Sequence, residues 1–500
     1  MNNTETLYKQ YKEQTQKAAD LNNAAAVLGW DQETYMPVKS VPFRARQLAT
    51  LATQAHEIAT NEAYGNLLYE LSSRADLADD EAQNVRLSLE DYEKSKKLSS
   101  GLVEALSEAS SNSFNAWIKA RQENDFSIFA PELERMVTLK HQQADAYGYE
   151  AHPYDALMDD YEKGATVTLL DNVFGQVKEE LPKLLKKIEH APQVDDSCFT
   201  KYYPRNEQWD FSLSVLKSIG YDFKAGRQDY AEHPFTTSFS PLDVRVTTRV
   251  DENDFASMLW SSIHEGGHAL YEQGLPVAQY GLPLGAAASL SVHESQSRLW
   301  ENCVGRSLDF WKGYYPQLLQ RFPEQLKAVS LEAFYKGMNK VQPSLVRTEA
   351  DEVTYHFHVL IRYEIEKALL EKTIPVSDLP AYWKEQYQRY LGVTPPDDKQ
   401  GVLQDVHWSH GSFGYFPTYS LGSFYAAQFF AQAKKENPAL PGEIEGRQFN
   451  NLLQWLRNNV HQYGRRYRSE ELCKKITGQG LDLGAFLHYA EKKYAGIYGF

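Results

Sequence analysis

The chain is predicted to be mostly α-helical, and three observations predict it. Apolar residues recur at spacings of three and four along most of its 500 residues. Breakers gather in a few loops, near 36–42, 191–205, 374–380 and 394–401, instead of falling at strand-length intervals. One stretch alone reads differently. Residues 236–250, TTSFSPLDVRVTTRV, are rich in Thr and Val and alternate around Asp243, Arg245 and Thr247, the pattern of a strand or a hairpin arm. The expected architecture is therefore a large helical body carrying one small sheet.

The helical segments are 5–29, 81–120, 166–190, 255–273, 289–305, 352–372 and 449–463. No internal repeat and no low-complexity linker separates them. The whole chain, 1–500, is expected to form one catalytic domain whose two lobes flank a groove.

Composition removes several classes of function. The formal net charge is −15 and no Lys/Arg run forms a phosphate-tracking stripe, which argues against nucleic acid or an anionic membrane as partner. No run of 18 apolar residues is present, and the first twenty residues lack the apolar core of a signal peptide. The three cysteines, Cys198, Cys303 and Cys473, are scattered and odd in number. They read as buried thiols of a reducing compartment, so a cytoplasmic location is expected.

The chemistry begins at His264-Glu265-Gly266-Gly267-His268, an H-E-x-x-H motif inside the helical segment DENDFASMLWSSIHEGGHALYEQG. Asp251, Asn253 or Asp254 can cap that helix and Gly274 can end it. Four residues apart on a helix, His264 and His268 project from one face, at the spacing that lets two imidazoles reach one ion. Glu265 lies next to the first His. Its carboxylate is near the ion without binding it, where a general base for the attacking water belongs. Each of the two glycines costs roughly 1 kcal/mol against Ala inside a helix. Both are explained if substrate or another backbone comes close to the metal.

A third ligand is sought in SLSVHESQSRLWENCVG, 289–305, an amphipathic helix with Ser289 or Ser291 as its cap. Glu294 lies 26 positions after His268, beyond a Gly- and Pro-rich loop that lets the chain turn back. Two His and one carboxylate leave a position for water, the catalytic pattern of zinc. His293 and Glu301 are rivals for the third place. Glu301 is read either as orienting a ligating His or as a surface ion pair with Arg298.

Several motifs together resemble the carboxypeptidase Taq family of metallocarboxypeptidases. They are LGWDQETYMP at 28–37, His233-Pro234-Phe235, Asp243-x-Arg245-x-Thr247, the H-E-x-x-H itself, His293-Glu294-Ser295-Gln296, Val346-Arg347-Thr348-Glu349-Ala350-Asp351, and Gly401-x-x-Gln404-Asp405-x-His407-Trp408. The resemblance implies a helical, saddle-like body with a deep groove, distantly similar to neurolysin. It also implies zinc, with cobalt as a substitute, a homodimer, and broad release of single residues from peptide C-termini. By the same likeness, His410, Tyr415 and Tyr419 of the segment DVHWSHGSFGYFPTYSLG, and His407 beside them, face the substrate. For each, ordinary packing is the alternative.

Arg347 is the candidate for the substrate's terminal carboxylate, because its planar fork matches a carboxylate bidentately. A structural pair with Asp351, four residues on, is the alternative, and VRTEAD is expected to open the following helix. Asp243 and Arg245 are candidates for substrate contact, or they pin the strand. His356 and His358, two apart in a helix, cannot face one ion and read as structural. An endopeptidase would share the metal site and lack the carboxylate anchor. A helical scaffold would have the motif and no turnover.

Overall fold

The computed structural model describes residues 3–500, 69 % of the chain being helical with one small sheet, so the mostly-α expectation holds. The chain packs into two compact units. The first comprises Met1–Lys96, Asp195–Met338 and Tyr425–Leu481; the second comprises Lys97–Val194, Asn339–Phe424 and Asp482–Phe500. Among the described residues, no helix is long and apolar enough to cross a membrane.

In the first unit, helix α1 (Thr4–Thr34) starts at Asn3, whose side chain accepts from the Thr6 amide at 2.8 Å. Its Leu7 and Tyr11 pack with Tyr64, Leu68, Leu71, Val85 and Tyr92 in a buried cluster. Helix α2 (Arg205–Ile219) leads to the sheet. The strands are β1 (Gln228–Tyr230), β2 (Thr236–Ser240) and β3 (Asp243–Thr248). Their order is β1-β3-β2, with β2 antiparallel and β1 parallel to β3. The stretch expected to form a strand or hairpin arm is therefore a hairpin.

Helix α3 (Phe255–Glu272) follows at once, and Asp254, one of the three candidate caps, accepts from the Ser257 amide at 3.1 Å. Helix α4 (Leu290–Arg298) is capped by Ser289, which accepts from the Val292 amide at 3.0 Å. Its last turn widens into a π-helical segment, Leu299–Gly305, a form that recurs at functional sites. The segment expected as a helix over 449–463 is helical over Asn450–Asn459 and ends in a 3₁₀ turn, His461–Tyr463, and the described chain departs from the expected helices in two further places. The segment 81–120 is two helices, Asp79–Lys96 and Ser100–Glu123, the second capped by Ser99. Arg347 sits on a single 3₁₀ turn, Arg347–Glu349, and the long helix α5 (Tyr355–Leu370) begins only later.

Candidate metal centre

His264, Glu265 and His268 lie on α3, and Glu294 lies on α4. The two helices meet where α3 has no side chains. A methyl at Gly267 would stand 2.7 Å from the Gln296 carbonyl oxygen and 2.7 Å from the Ser297 Cα, so the α4 backbone rests directly on this glycine. A methyl at Gly266 would meet only side-chain tips, Leu216 Cδ2 at 2.5 Å and Ile219 Cδ1 at 3.4 Å. Gly267→Ala is therefore expected to cost on the order of 1–3 kcal/mol of stability and to loosen metal binding. Gly266→Ala, where a flexible side chain can yield, is expected to cost less. Thermal unfolding and metal content of the two variants check this.

Glu294 comes between the two imidazoles. Its Oε2 is 3.6 Å from His264 Nε2 and 3.4 Å from His268 Nε2. One ligand atom from each of the three residues lies within 4.8 Å of the others. Tetrahedral bonds of about 2.1 Å give ligand-to-ligand edges of about 3.4 Å, so the spacing fits one ion. Protein groups bind the other side of each imidazole. His264 Nδ1 donates to Glu301 Oε2 at 2.9 Å. His268 Nδ1 lies 3.1 Å from the His293 carbonyl oxygen and 2.6 Å from His293 Nδ1. Both Nε2 lone pairs are thereby left for the ion.

The two rivals for the third place stand behind the three residues that could hold an ion. His293 backs His268 and bonds Glu272 Oε1 at 2.8 Å. Glu301 is 5 % exposed, so the pair with Arg298 is not on the surface. Arg298 links the two glutamates, donating to Glu294 Oε1 at 2.7 Å and to Glu301 Oε2 at 3.3 Å, while Arg306 donates to Glu301 Oε1 at 2.9 Å. Sequence reasoning weighed Arg298 only as a surface partner.

Charge follows from this packing. Burial pushes the Glu294 carboxyl up, but Arg298 and the two imidazoles outweigh it and hold it well below the usual carboxylate range. Burial is likewise outweighed at Glu301, by Arg298 and Arg306. Burial and the neighbouring His293 push His268 down to about 3, leaving it neutral and able to ligate. At His264 burial is outweighed by Glu294 and Glu301, so its value is raised. Glu265 is raised, chiefly by burial. The Thr236 hydroxyl on β2 lies 2.6 Å from Glu265 Oε2, a contact the sequence gives no means of finding.

The remaining candidates fall into two groups. Asp243 and Arg245 face each other on β3, with Arg245 Nε and Nη2 donating to the two carboxylate oxygens at 3.0 and 2.9 Å. The Arg245 guanidinium also lies 4.5 Å from the Trp30 ring centre and 4.9 Å from that of Phe239. The other group is in the second unit. Arg347 does not pair with Asp351, which accepts from the Val353 and Thr354 amides at the start of α5. Its Nε and Nη2 donate to Asp405 Oδ1 at 3.0 and 2.7 Å, and Arg362 Nε donates to Asp405 Oδ2 at 2.6 Å. Two guanidinium groups thus share one carboxylate. His407 Nε2 is 3.1 Å from the Tyr419 hydroxyl, and Tyr415 packs against both rings. Burial, then Arg347, push His407 down to about 3. His410 is exposed and lies over Phe114 with ring centres 4.9 Å apart. His356 and His358 are buried, bonded to Ser420 and to Tyr387, as the structural reading expects.

The chain is similar to known proteins over nearly its whole length. Carboxypeptidase 1 of Bacillus subtilis is 39 % identical over 99 % of both chains. Thermostable carboxypeptidase 1 of Thermus thermophilus is 42 % identical, also over 99 % of both. The crystal structure of the M32 carboxypeptidase from Deinococcus radiodurans superposes with a TM-score of 0.97 at 40 % identity, covering 99 % of this chain and 100 % of that one. The profile of the carboxypeptidase Taq (M32) metallopeptidases matches residues 10–494, so a chain that sets two imidazoles and a carboxylate around one point belongs to that family and is a metallocarboxypeptidase.

Proposed function

We propose that the protein is a zinc-dependent carboxypeptidase that removes single residues from peptide C-termini with broad specificity, working in the cytoplasm as a homodimer. The observation that carries the reading is the pair of imidazoles with free Nε2 atoms closing on Glu294. Such a donor set suits zinc and also accepts cobalt or manganese. When bound there, the ion supplies Lewis acidity, which makes water more acidic and polarises the scissile carbonyl. Glu265 takes the proton of the attacking water and returns it to the leaving amine. His407, Tyr415 and Tyr419 are assigned to substrate contact, supported by their packing against one another in a single cluster. The mutual pairing of Asp243 and Arg245 supports the role of pinning β3.

Recognition of the free terminus is assigned to Arg347. Asp405 and Tyr355 engage three of its five N–H groups, which leaves one on each terminal nitrogen. With Arg362, its cluster carries one net positive charge. Arg347→Ala is expected to lower kcat/KM by about 10- to 100-fold on peptides with a free C-terminus. On the same peptides amidated, wild type should already be slow and the change should have little effect. Equal slowing of both substrates would show that Arg347 only supports Asp405.

Mass spectrometry of a long unstructured peptide tests the function as a whole. A ladder of single C-terminal losses is expected, abolished by chelator and restored by zinc. Internal fragments in place of the ladder would make the enzyme an endopeptidase.

A further inference from the structure

We infer that Thr236 is the positioning residue of the general base: its hydroxyl holds one oxygen of the Glu265 carboxylate and turns the other toward the water to be deprotonated. The inference rests on the role proposed above for Glu265 and adds to it the group that aims the base.

The geometry is specific. Thr236 Oγ1 lies 2.6 Å from Glu265 Oε2 and 2.9 Å from the Glu265 backbone oxygen. A hydroxyl has one proton to give, and a carboxylate accepts it more strongly than a carbonyl. Glu265 has three side-chain torsions; the α3 backbone restricts the first and leaves the outer two open. A second, fixed point of attachment settles them. Ser238 follows two positions along β2, on the same face of the strand.

The strand itself is held at the required depth. Thr247 Oγ1 accepts from the Phe235 amide at 2.9 Å, and the Thr247 amide donates to the Phe235 carbonyl at 2.9 Å. Thr247 is fully buried. Thr236 pairs with Val246 in the ladder beside this clamp. A one-residue slip would turn the Thr236 side chain to the other face of the sheet and away from Glu265. This gives a use to two motifs that bind no metal, His233-Pro234-Phe235 and Asp243-x-Arg245-x-Thr247. They meet at the Phe235–Thr247 clamp, and Thr236 is the next residue after the first of them.

Thr236→Val and Thr236→Ser test the inference in the metal-loaded enzyme. Val keeps the shape and β preference and removes the hydroxyl, whereas Ser keeps the hydroxyl. Thr236→Val is expected to lower kcat by about 10- to 100-fold, with KM and bound metal per chain unchanged. Thr236→Ser is expected to recover most of the loss. In a Glu265→Gln background Thr236→Val should do nothing further to the residual rate. Wild-type kcat in Thr236→Val would overturn the inference, as would metal lost in step with activity, or no rescue by Ser. If Glu265→Gln itself kept full activity, the assignment of the base would fail, and not this inference alone.

Discussion

Glu265→Gln is expected to bind its ion normally and to turn over peptide about 10²- to 10⁴-fold more slowly, the usual contribution of a general base. Gln is nearly isosteric, and its amide cannot take a proton from water at neutral pH. The fold should survive, because no backbone contact depends on the carboxylate charge. The Thr236 hydroxyl can still donate to the amide oxygen in place of Oε2. The neighbouring ligands should also be undisturbed, since His264 and His268 are oriented from behind by Glu301 and His293. Metal analysis beside single-turnover kinetics separates the outcomes. Near wild-type kcat would remove Glu265 from the mechanism. Loss of metal along with rate would make it part of the coordination sphere.

Glu294→Ala is expected to have the second large effect, and a different one. It removes a ligand and leaves Arg298 without the carboxylate that accepts from its Nε at 2.7 Å. A buried cation stripped of one partner costs about 3–5 kcal/mol where no other compensates. Here Glu301 remains 3.3 Å from Nη1, so the loss of stability should fall below that figure. The protein should emerge from dialysis nearly free of metal, with activity lost accordingly, and should melt earlier. Glu301→Gln should instead keep its ion with affinity weakened by about 10- to 100-fold, the usual result of removing a group that orients a ligating His. Full metal in Glu294→Ala together with its loss in Glu301→Gln would reverse the roles of the two glutamates.

The candidate metal centre was legible because a helix has a fixed period. Once the Asp254 cap and the apolar face of 255–273 identify a helix, the directions of His264 and His268 follow. The hairpin was legible for the same reason, through its period of two. What could not be read is what depends on groups distant in sequence. The strand β1 has only three residues, Gln228-Asp229-Tyr230, with no alternation of its own, and exists by pairing with β3. Arg347 looked for its partner four residues away and finds it in Asp405. No local pattern points to Thr236. One miss had a local signal: the Ser-Ser-Gly at 99–101 is a helix start, overlooked because apolar spacing continued across it.

The composition of the first unit from three separated stretches has a consequence for how the protein is made. Residues up to Lys96 leave the ribosome long before Tyr425, and at about 5–20 residues per second the wait is on the order of 20–70 s. The stretch carrying His264 and Glu294 rests on late partners: His461 bonds the Gln296 side chain at 3.0 Å, and Phe449 packs against Trp300 and Phe310. The nascent chain must therefore hold an unfinished, apolar assembly open until the residues from Tyr425 onward arrive. Loss of the stretch beyond Tyr425, far from the ligands in sequence, should deprive the chain of its ion as effectively as removing a ligand.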